Sequence, residues 1–437
     1  MRAPAVARIA ALSDDGRVDP FAPAGASPHL GRFGIAARDD DGIAIARARM
    51  NGARVFIAAQ DERYLAGSVG ECHGRALRTM FETARSERPD AVVLLLASGG
   101  VRLHEANAAE IALAQALAAL FDARADGIPV VAIGVGSVFG GTSVLACAAD
   151  RLALLPDARL GLSGPKVLES VHGKWQLDAE DARDVDAVFG AAARNRAGVT
   201  ELLADDADAI RAWVGRAMRE RGDFAQAVAV MQARLARRIA GETSHAPPFD
   251  ALPCFEGAVP VDNAGRLWRG PACWLTRPSP EATIGPADAL ALDAALLSNV
   301  AEADGARIPL VLVEDSAGHT VSRAAEMRLI SQFLAHHAAV LALLRARGTR
   351  LIGLLAGVGH SAAFFTNALQ APSLYALASS RVVAMEPSAL ARVTGIAAAT
   401  LIEEDPLLGH PVRHLAAQGG VDAVIDEASL EALGLAS

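Results

Sequence analysis

Short apolar runs punctuate the chain, and several end in a turn of small residues that opens an alanine- and leucine-rich stretch. Residues 91–97 run into Ser98-Gly99-Gly100, and residues 129–133 run into Gly134-Val135-Gly136-Ser137-Val138-Phe139-Gly140-Gly141. A brief apolar run bounded by turn residues predicts a strand covered on both faces. Strand, glycine turn and helix in succession predict right-handed β-α-β crossovers and largely parallel sheets. Residues 43–50 and 53–59 read instead as a hairpin, joined by Asn51-Gly52. A helix is expected from Ser68 to about Ser86, with Ser68 as its N-cap and Glu71 completing a capping box. Further helices are expected over 107–125, from 166, within 204–241, after Gly285-Pro286-Ala287-Asp288, over 322–347, and from Ser361. Residues 1–40 form a lead-in segment with one helix.

The pattern repeats. The run 349–355 leads into Ala356-Gly357-Val358-Gly359-His360-Ser361-Ala362-Ala363, which sets Phe139-Gly140-Gly141-Thr142 against His360-Ser361-Ala362-Ala363. The run 308–313 ends in Glu314-Asp315-Ser316-Ala317-Gly318, matching the run that ends in Ser98-Gly99-Gly100. Residues 152–155, leading to Gly161-Leu162-Ser163-Gly164-Pro165, match residues 381–384, leading to Met385-Glu386-Pro387-Ser388. Matches in the same order predict two copies of one α/β unit. The stretch 241–253, with Pro247, Pro248 and Pro253, is the linker candidate, dividing the chain into 1–245 and 254–437.

Composition narrows the function. A formal charge of −9 without a basic run argues against nucleic acid as a partner. No apolar stretch is long enough to span a bilayer, and the start of the chain lacks a signal-type apolar core. The four cysteines are scattered, with no C-x-x-C pair, so neither a zinc ribbon nor a disulfide framework is expected. A reduced, cytoplasmic setting fits.

The candidate chemistry lies in the turns. Glycines there let a ligand approach the backbone. A helix start leaves N–H groups free and carries a partial positive charge. Together these stabilise an oxyanion as it forms. Gly99, Gly100, Gly140 and Gly141 are the donor candidates, although tight turns alone also call for glycine. Ala317, Gly318, Ser361 and Ala362 take the matching places. Arg102 suits a carboxylate or phosphate, and equally a salt bridge. His104 is polar lining or a solvated loop residue. His360 precedes a helix start and has the titratable ring of a proton carrier, or of a helix-end histidine bonded to backbone. His336-His337 read as surface or packing residues, not metal ligands, and no metal site is expected.

Gly67-Ser68-Val69-Gly70-Glu71, Ser98-Gly99-Gly100-Val101-Arg102 and the segment from Gly161 to Glu169 resemble carboxyltransferase subunits of acyl-CoA carboxylases, which have a crotonase-like fold. In detail, the first half resembles the beta subunit of biotin-independent malonate decarboxylase. The second half resembles its gamma subunit, through Gly285-Pro286-Ala287-Asp288-Ala289-Leu290-Ala291-Leu292, Gly359-His360-Ser361-Ala362-Ala363-Phe364 and Arg392-Val393-Thr394. The resemblance covers residues 40 to 430 and has the form of a beta–gamma fusion. It implies an α/β fold of two tandem crotonase-like (ClpP/crotonase) β-β-α units related by a pseudo-two-fold axis. It implies decarboxylation of a malonyl thioester on an acyl carrier protein, through an enolate held by backbone N–H groups. No covalently bound cofactor is implied, only a coenzyme-A-like, phosphopantetheine-type arm on the carrier. The implied partners are the acyl carrier protein, an acyl-transferase subunit and a second copy of the fused chain.

The four-cysteine zinc ribbon of the bacterial acetyl-CoA carboxylase beta subunit is missing, as is a biotin-attachment Met-Lys-Met. Both departures favour the decarboxylase. A biotin-dependent acyl-CoA carboxyltransferase remains the alternative enzyme. A non-catalytic scaffold that binds acyl-CoA-like arms is the alternative of another class, since Ala362-Ala363 replaces Gly141-Thr142.

Overall fold

Strand β4 (Ala91–Ser98) is buried along its whole length, as an uninterrupted apolar run between parallel neighbours requires. It belongs to an eight-stranded sheet that also holds β1 (Asp19–Pro20), β2 (Ile43–Met50), β3 (Ala53–Gln60), β5 (Val130–Val138), β6 (Arg151–Leu154), β7 (Arg159–Leu160) and β8 (Glu201–Leu202). The order is β1-β2-β3-β4-β5-β6-β8, with β7 pairing the end of β5. Strands β1 to β3 are antiparallel and the rest parallel. Asn51 (φ 53) and Gly52 (φ 76) turn the β2–β3 hairpin, both in the left-handed region that such a tight turn demands.

This computed structural model describes residues 4–220, 222–244, 248–249, 252–301, 308–394, 397–399, 412–417, 420–426 and 429–432. Linker residues 245–247 and 250–251, the tail 400–411, and the side chains of Arg392, Val393 and Thr394 lie outside the described residues.

A seven-stranded sheet repeats the plan: β9 (Val259–Pro260), β10 (Leu267–Arg269), β11 (Trp274–Thr276), β12 (Leu310–Glu314), β13 (Leu351–Leu355), β15 (Ser373–Leu377) and β17 (Ala423–Ile425). Here β9 to β11 are antiparallel, and β11-β12-β13-β15-β17 run parallel. Strands β14 (Val358–His360) and β16 (Arg381–Val383) make a small parallel pair.

The third expected match needs correction. The counterpart of β6 is β15, each lying parallel beside its unit's central strand. Residues 381–383, expected to match 152–155, instead match β7. Strand β15 follows a short helical turn, and its partly buried Ser373 and Tyr375 interrupt the apolar run that marks the other core strands.

Helix α1 (Ala5–Leu12) fills the lead-in segment, and α2 spans Glu71–Glu87. The expected capping box does not form, since Gly70 is the N-cap and Glu71 the first helical residue. Helix α3 is Ala106–Ala125, α4 Gly141–Cys147 and α5 Pro165–His172. Then come α6 (Ala182–Phe189), α7 (Ala191–Arg196), α8 (Ala207–Arg219), α9 (Phe224–Arg238) and α10 (Pro286–Asn299). The single helix expected over 322–347 is two, α11 (Arg323–Met327) and α12 (Ile330–Ala346), broken where Leu329 takes φ 55. Helices α13 (Ser361–Thr366) and α14 (Pro387–Thr394) complete the set used below.

The chain packs into two compact units. Unit 1 is Met1–Arg102, Gln115–Ala227 and Val321–Ala335, and unit 2 is Leu103–Ala114, Val228–Thr320 and His336–Ser437. Each half of the sequence thus contributes a segment to the other half's unit. The core of unit 1 joins Ile9, Leu12, Ile57, Val93, Leu95, Ile133, Ile210 and Trp213. Burying one such side chain contributes about 1.5–3 kcal/mol. The core of unit 2 includes Phe255, Leu275, Val311, Val313, Ile352 and Leu354.

Candidate active site

In unit 1 the turns after β4 and β5 meet backbone to backbone. A Cβ built on Gly140 would lie 2.9 Å from the Gly100 Cα, and one on Gly100 would lie 3.2 Å from the Gly140 Cα. Gly140 takes φ 58 and Gly100 φ 105, so both need glycine for conformation as well as for space. The Ser98 Oγ accepts from the Gly100 N–H at 3.1 Å and from the Thr142 Oγ1 at 3.1 Å, tying one turn to the other.

Hydrogen bonding sorts the donor candidates. The Gly99 N–H donates to the Ala66 carbonyl and the Gly140 N–H to the Leu162 carbonyl, each at 2.9 Å. With the Gly100 N–H held by Ser98, three of the four expected donors are occupied. The Gly141 N–H has no acceptor among the described residues, and neither has the Val101 N–H. A Cβ on Gly140 would lie 3.7 Å from that Val101 nitrogen. Val101 carried no signal in the sequence, because a backbone donor leaves no mark on residue type. Helix α4 has only seven residues, so local N–H groups matter here more than any macrodipole.

Unit 2 repeats part of this turn, with Ala363 standing where Thr142 bonds Ser98 in unit 1. Gly100 and Gly318 (φ 90) each donate N–H to the serine two residues earlier. Gly99 donates to Ala66 and Ala317 to Ala282, both at 2.9 Å. Gly140 (φ 58) is matched by Ser361 (φ 47), a serine in the left-handed region whose Oγ donates to the Ala384 carbonyl at 3.0 Å. Such a conformation costs a non-glycine residue about 1–3 kcal/mol. Ala362 is buried at the start of α13. His360 replaces the glycine contact, its Cγ and Nδ1 standing 3.2 Å from a Cβ built on Gly318. Burial lowers the His360 pKa, against the pull of Glu386, and burial holds His319 at about 4. Both rings are therefore neutral near pH 7.

Arg102 is held in a buried ion pair. Its side chain is 1% exposed, with Nη1 2.5 Å from Asp41 Oδ1 and Nη2 2.9 Å from the Ser68 carbonyl. Of the two expected roles, the salt bridge is present, buried rather than on the surface: the guanidinium neutralises a buried aspartate. His104 is half-buried where the chain passes from unit 1 into unit 2.

Sequence reasoning gave no sign of a buried polar chain in unit 2. Glu314 accepts from Ser316 Oγ at 2.9 Å and Asn367 Nδ2 at 2.7 Å. Asn367 Oδ1 meets His337 Nε2 at 3.3 Å, and His337 Nδ1 meets Asp293 Oδ1 at 2.6 Å. His336 reaches Gln232 at 2.7 Å. The histidine pair is thus packed inside rather than on the surface. Burial disfavours the charged His337 ring, but Asp293 outweighs it and raises the pKa.

Burial, with the nearby Glu314 charge, pushes Glu110 up to about 8; burial likewise pushes Glu314 to about 7. Both lie above the ordinary 4.5, so the folded unit keeps protons that an unfolded chain releases. Their contribution to stability is complete below about pH 4.5 and is lost as pH rises through the folded values near 7 and 8. The melting temperature of Glu110→Gln, taken relative to wild type at each pH, should therefore rise between pH 5 and pH 8. Parallel pH curves for variant and wild type in thermal denaturation would sink the assignment.

Residues 2–233 match the carboxyl transferase domain family, and residues 280–436 match the malonate decarboxylase gamma subunit family. The chain is 34% identical over 204 residues to the malonyl-S-ACP:biotin-protein carboxyltransferase of Malonomonas rubra, covering 43% of this chain and 63% of that protein. It is 31% identical over 131 residues to the acetyl-coenzyme A carboxylase carboxyl transferase subunit beta of Fusobacterium nucleatum, covering 30% of this chain and 43% of that one. The match thus spans less than two thirds of either curated relative. Among solved structures, a Pseudomonas malonate decarboxylase hetero-tetramer in complex with malonate aligns at 30% identity and TM-score 0.50, over 56% of this chain and 92% of that chain. The fold is crotonase-like, and with more than half of its length matched by that domain, the chain belongs to the carboxyl transferase family.

Proposed function

We propose that the chain decarboxylates a malonyl thioester, carried on the phosphopantetheine-type arm of an acyl carrier protein, to an acetyl thioester and carbon dioxide. The observation that carries this reading is the contact of the two turns in unit 1, where the Val101 and Gly141 N–H groups have no acceptor among the described residues. Two such donors suit the oxygen of a thioester enolate. The bond from the α-carbon to the carboxylate breaks, and its electron pair becomes the enolate double bond. The carbonyl pair moves onto oxygen, where the donors balance its charge. Carbon dioxide leaves, and a proton from water adds to the carbon. His360 beside Gly318 is the candidate proton carrier of the matching turn in unit 2. The gamma-subunit match over residues 280–436 supports the decarboxylase reading. We read the assembly as a homodimer of the fused chain, working with separate carrier and acyl-transferase subunits, which light scattering of the purified chain checks.

One observation favours a second reading. The Malonomonas rubra relative is, by its name, a carboxyltransferase acting from malonyl-S-ACP to a biotin-protein. The same enolate then forms, but the carboxyl group passes to biotin. Turnover of malonyl-carrier with and without a biotinyl protein separates the two. Acetyl-carrier formed at an undiminished rate without biotin supports decarboxylation, and dependence on the biotinyl protein supports transfer. Failure to turn over malonyl-carrier in either condition would sink both.

A further inference from the structure

Residues Val321–Ala335 come from the second half of the sequence yet fold into unit 1. Within them Glu326 is fully buried on α11. Its Oε1 accepts the Ser163 N–H at 2.6 Å and its Oε2 the Leu162 N–H at 3.1 Å. Gly161 leaves room for this, since a Cβ there would lie 2.9 Å from Oε2. The Ser163 N–H and the Leu162 carbonyl belong to one peptide group. That carbonyl accepts the Gly140 N–H at 2.9 Å. One peptide is therefore bonded at both ends, to the Glu326 carboxyl and to the glycine turn. Hydrogen bonds in such a chain strengthen one another. Arg194, also buried, anchors α11 by donating to the Glu326 carbonyl at 2.6 Å and to the Leu160 carbonyl.

A second chain reaches the same turn. The Ser143 Oγ donates to the Gly140 carbonyl at 2.7 Å. Its one proton being used, Ser143 accepts from Ser331 Oγ on α12, also at 2.7 Å. The Gly140 carbonyl shares its peptide group with the Gly141 N–H, the donor left open. The break at Leu329 separates the helix that carries Glu326 from the one that carries Ser331.

We propose that Glu326 and Ser331 are positioning residues: Glu326 holds the Phe139–Gly140 peptide and Ser331 the Gly140–Gly141 peptide, so that the Gly141 N–H is held for the reacting oxygen. The first half's turn then depends on a segment encoded in the second half. The catalytic part of this inference rests on the reading under Proposed function, whereas the positioning part does not.

The test uses the full chain with Glu326→Gln, Ser331→Ala and Arg323→Ala. Arg323 lies in the same segment but binds Asp184 and the Gln176 carbonyl instead, each at 2.7 Å. Amide hydrogen exchange over residues 138–145 and malonyl-carrier kinetics are measured for each. Glu326→Gln should speed exchange at the turn about tenfold while the β4 and β5 amides stay protected. It should also lower kcat about tenfold with KM within about twofold, as expected when a transition-state donor is misplaced. Ser331→Ala should move both in the same direction by about threefold, roughly a hydrogen bond's net worth. Arg323→Ala should change neither. If Glu326→Gln fails to fold, Ser331→Ala decides alone. Unchanged exchange at the turn, or equal acceleration across all of unit 1 or in Arg323→Ala, overturns the proposal. If the wild type does not turn over malonyl-carrier, the proposed function fails, and exchange at the turn still decides the positioning role.

Discussion

Gly141→Pro is expected to lower turnover of malonyl-carrier about a hundred- to a thousand-fold, the usual cost of losing one oxyanion donor. Circular dichroism and the melting curve should stay near wild type. Gly141 is the first residue of α4, and its N–H has no acceptor among the described residues to lose. Proline suits that position, because its missing N–H is one the helix never uses. This chain already starts helices so, at Pro165, Pro286 and Pro387. The residue before a proline avoids the helical region, and Gly140 is already outside it at φ 58 and ψ −147. The substitution therefore removes a donor and little else. A rate within about threefold of wild type, in steady-state assays of folded protein, would remove Gly141 from the oxyanion site. Gly100→Val is a poorer probe, because Gly100 takes φ 105 and lies 3.2 Å, measured from a built Cβ, from the Gly140 Cα. It would disturb the turn's shape as well as its chemistry.

Much of the fold was written in the pattern of apolar runs. The strands at 43–50 and 91–98, the Asn51-Gly52 turn and the helix over 106–125 follow from local signals that tertiary packing reinforces. The internal repeat was legible because strand-end turns constrain residue type. Ser98 and Ser316 recur since each side chain closes its turn on a glycine N–H. Gly140 and Ser361 showed where the constraint is geometric, both being held at positive φ.

The rest depended on contacts distant in sequence, which leave no periodic trace. Glu326 carries no local signal of its place, yet it is buried against Leu162 and Ser163. The helix break at Leu329 has no glycine or proline to announce it. The exchange of Leu103–Ala114 and Val321–Ala335 between units is a property of the folded chain. In the same way, a glycine pair can be picked out by its type. Which of its N–H groups remain open is decided by acceptors such as Ala66 and Leu162, far away in the chain.

Arg102 stands as the sharpest separation of a binding role from a structural one. Arg102→Met should lower the melting temperature by about 10 °C and leave KM for malonyl-carrier near wild type in the protein that remains folded, because removing one partner of a buried ion pair costs about 3–5 kcal/mol. The cost comes from the charge left behind. Asp41 is fully buried; its Oδ1 faces Arg102 Nη1 at 2.5 Å, and its Oδ2 accepts the His73 N–H at 2.9 Å. Burial, helped by the Arg102 charge, holds the His73 pKa at about 3 in the wild type, and the burial remains when Arg102 is gone. Methionine refills the volume under Tyr64, over which the guanidinium now lies 5.5 Å from the ring centroid. It takes the guanidinium charge away from the buried Asp41 carboxylate. Adding Asp41→Asn to Arg102→Met should recover part of the loss, because the neutral amide needs no counter-charge. A melting temperature within about 2 °C of wild type, with KM raised about tenfold, would return Arg102 to the substrate side of the site.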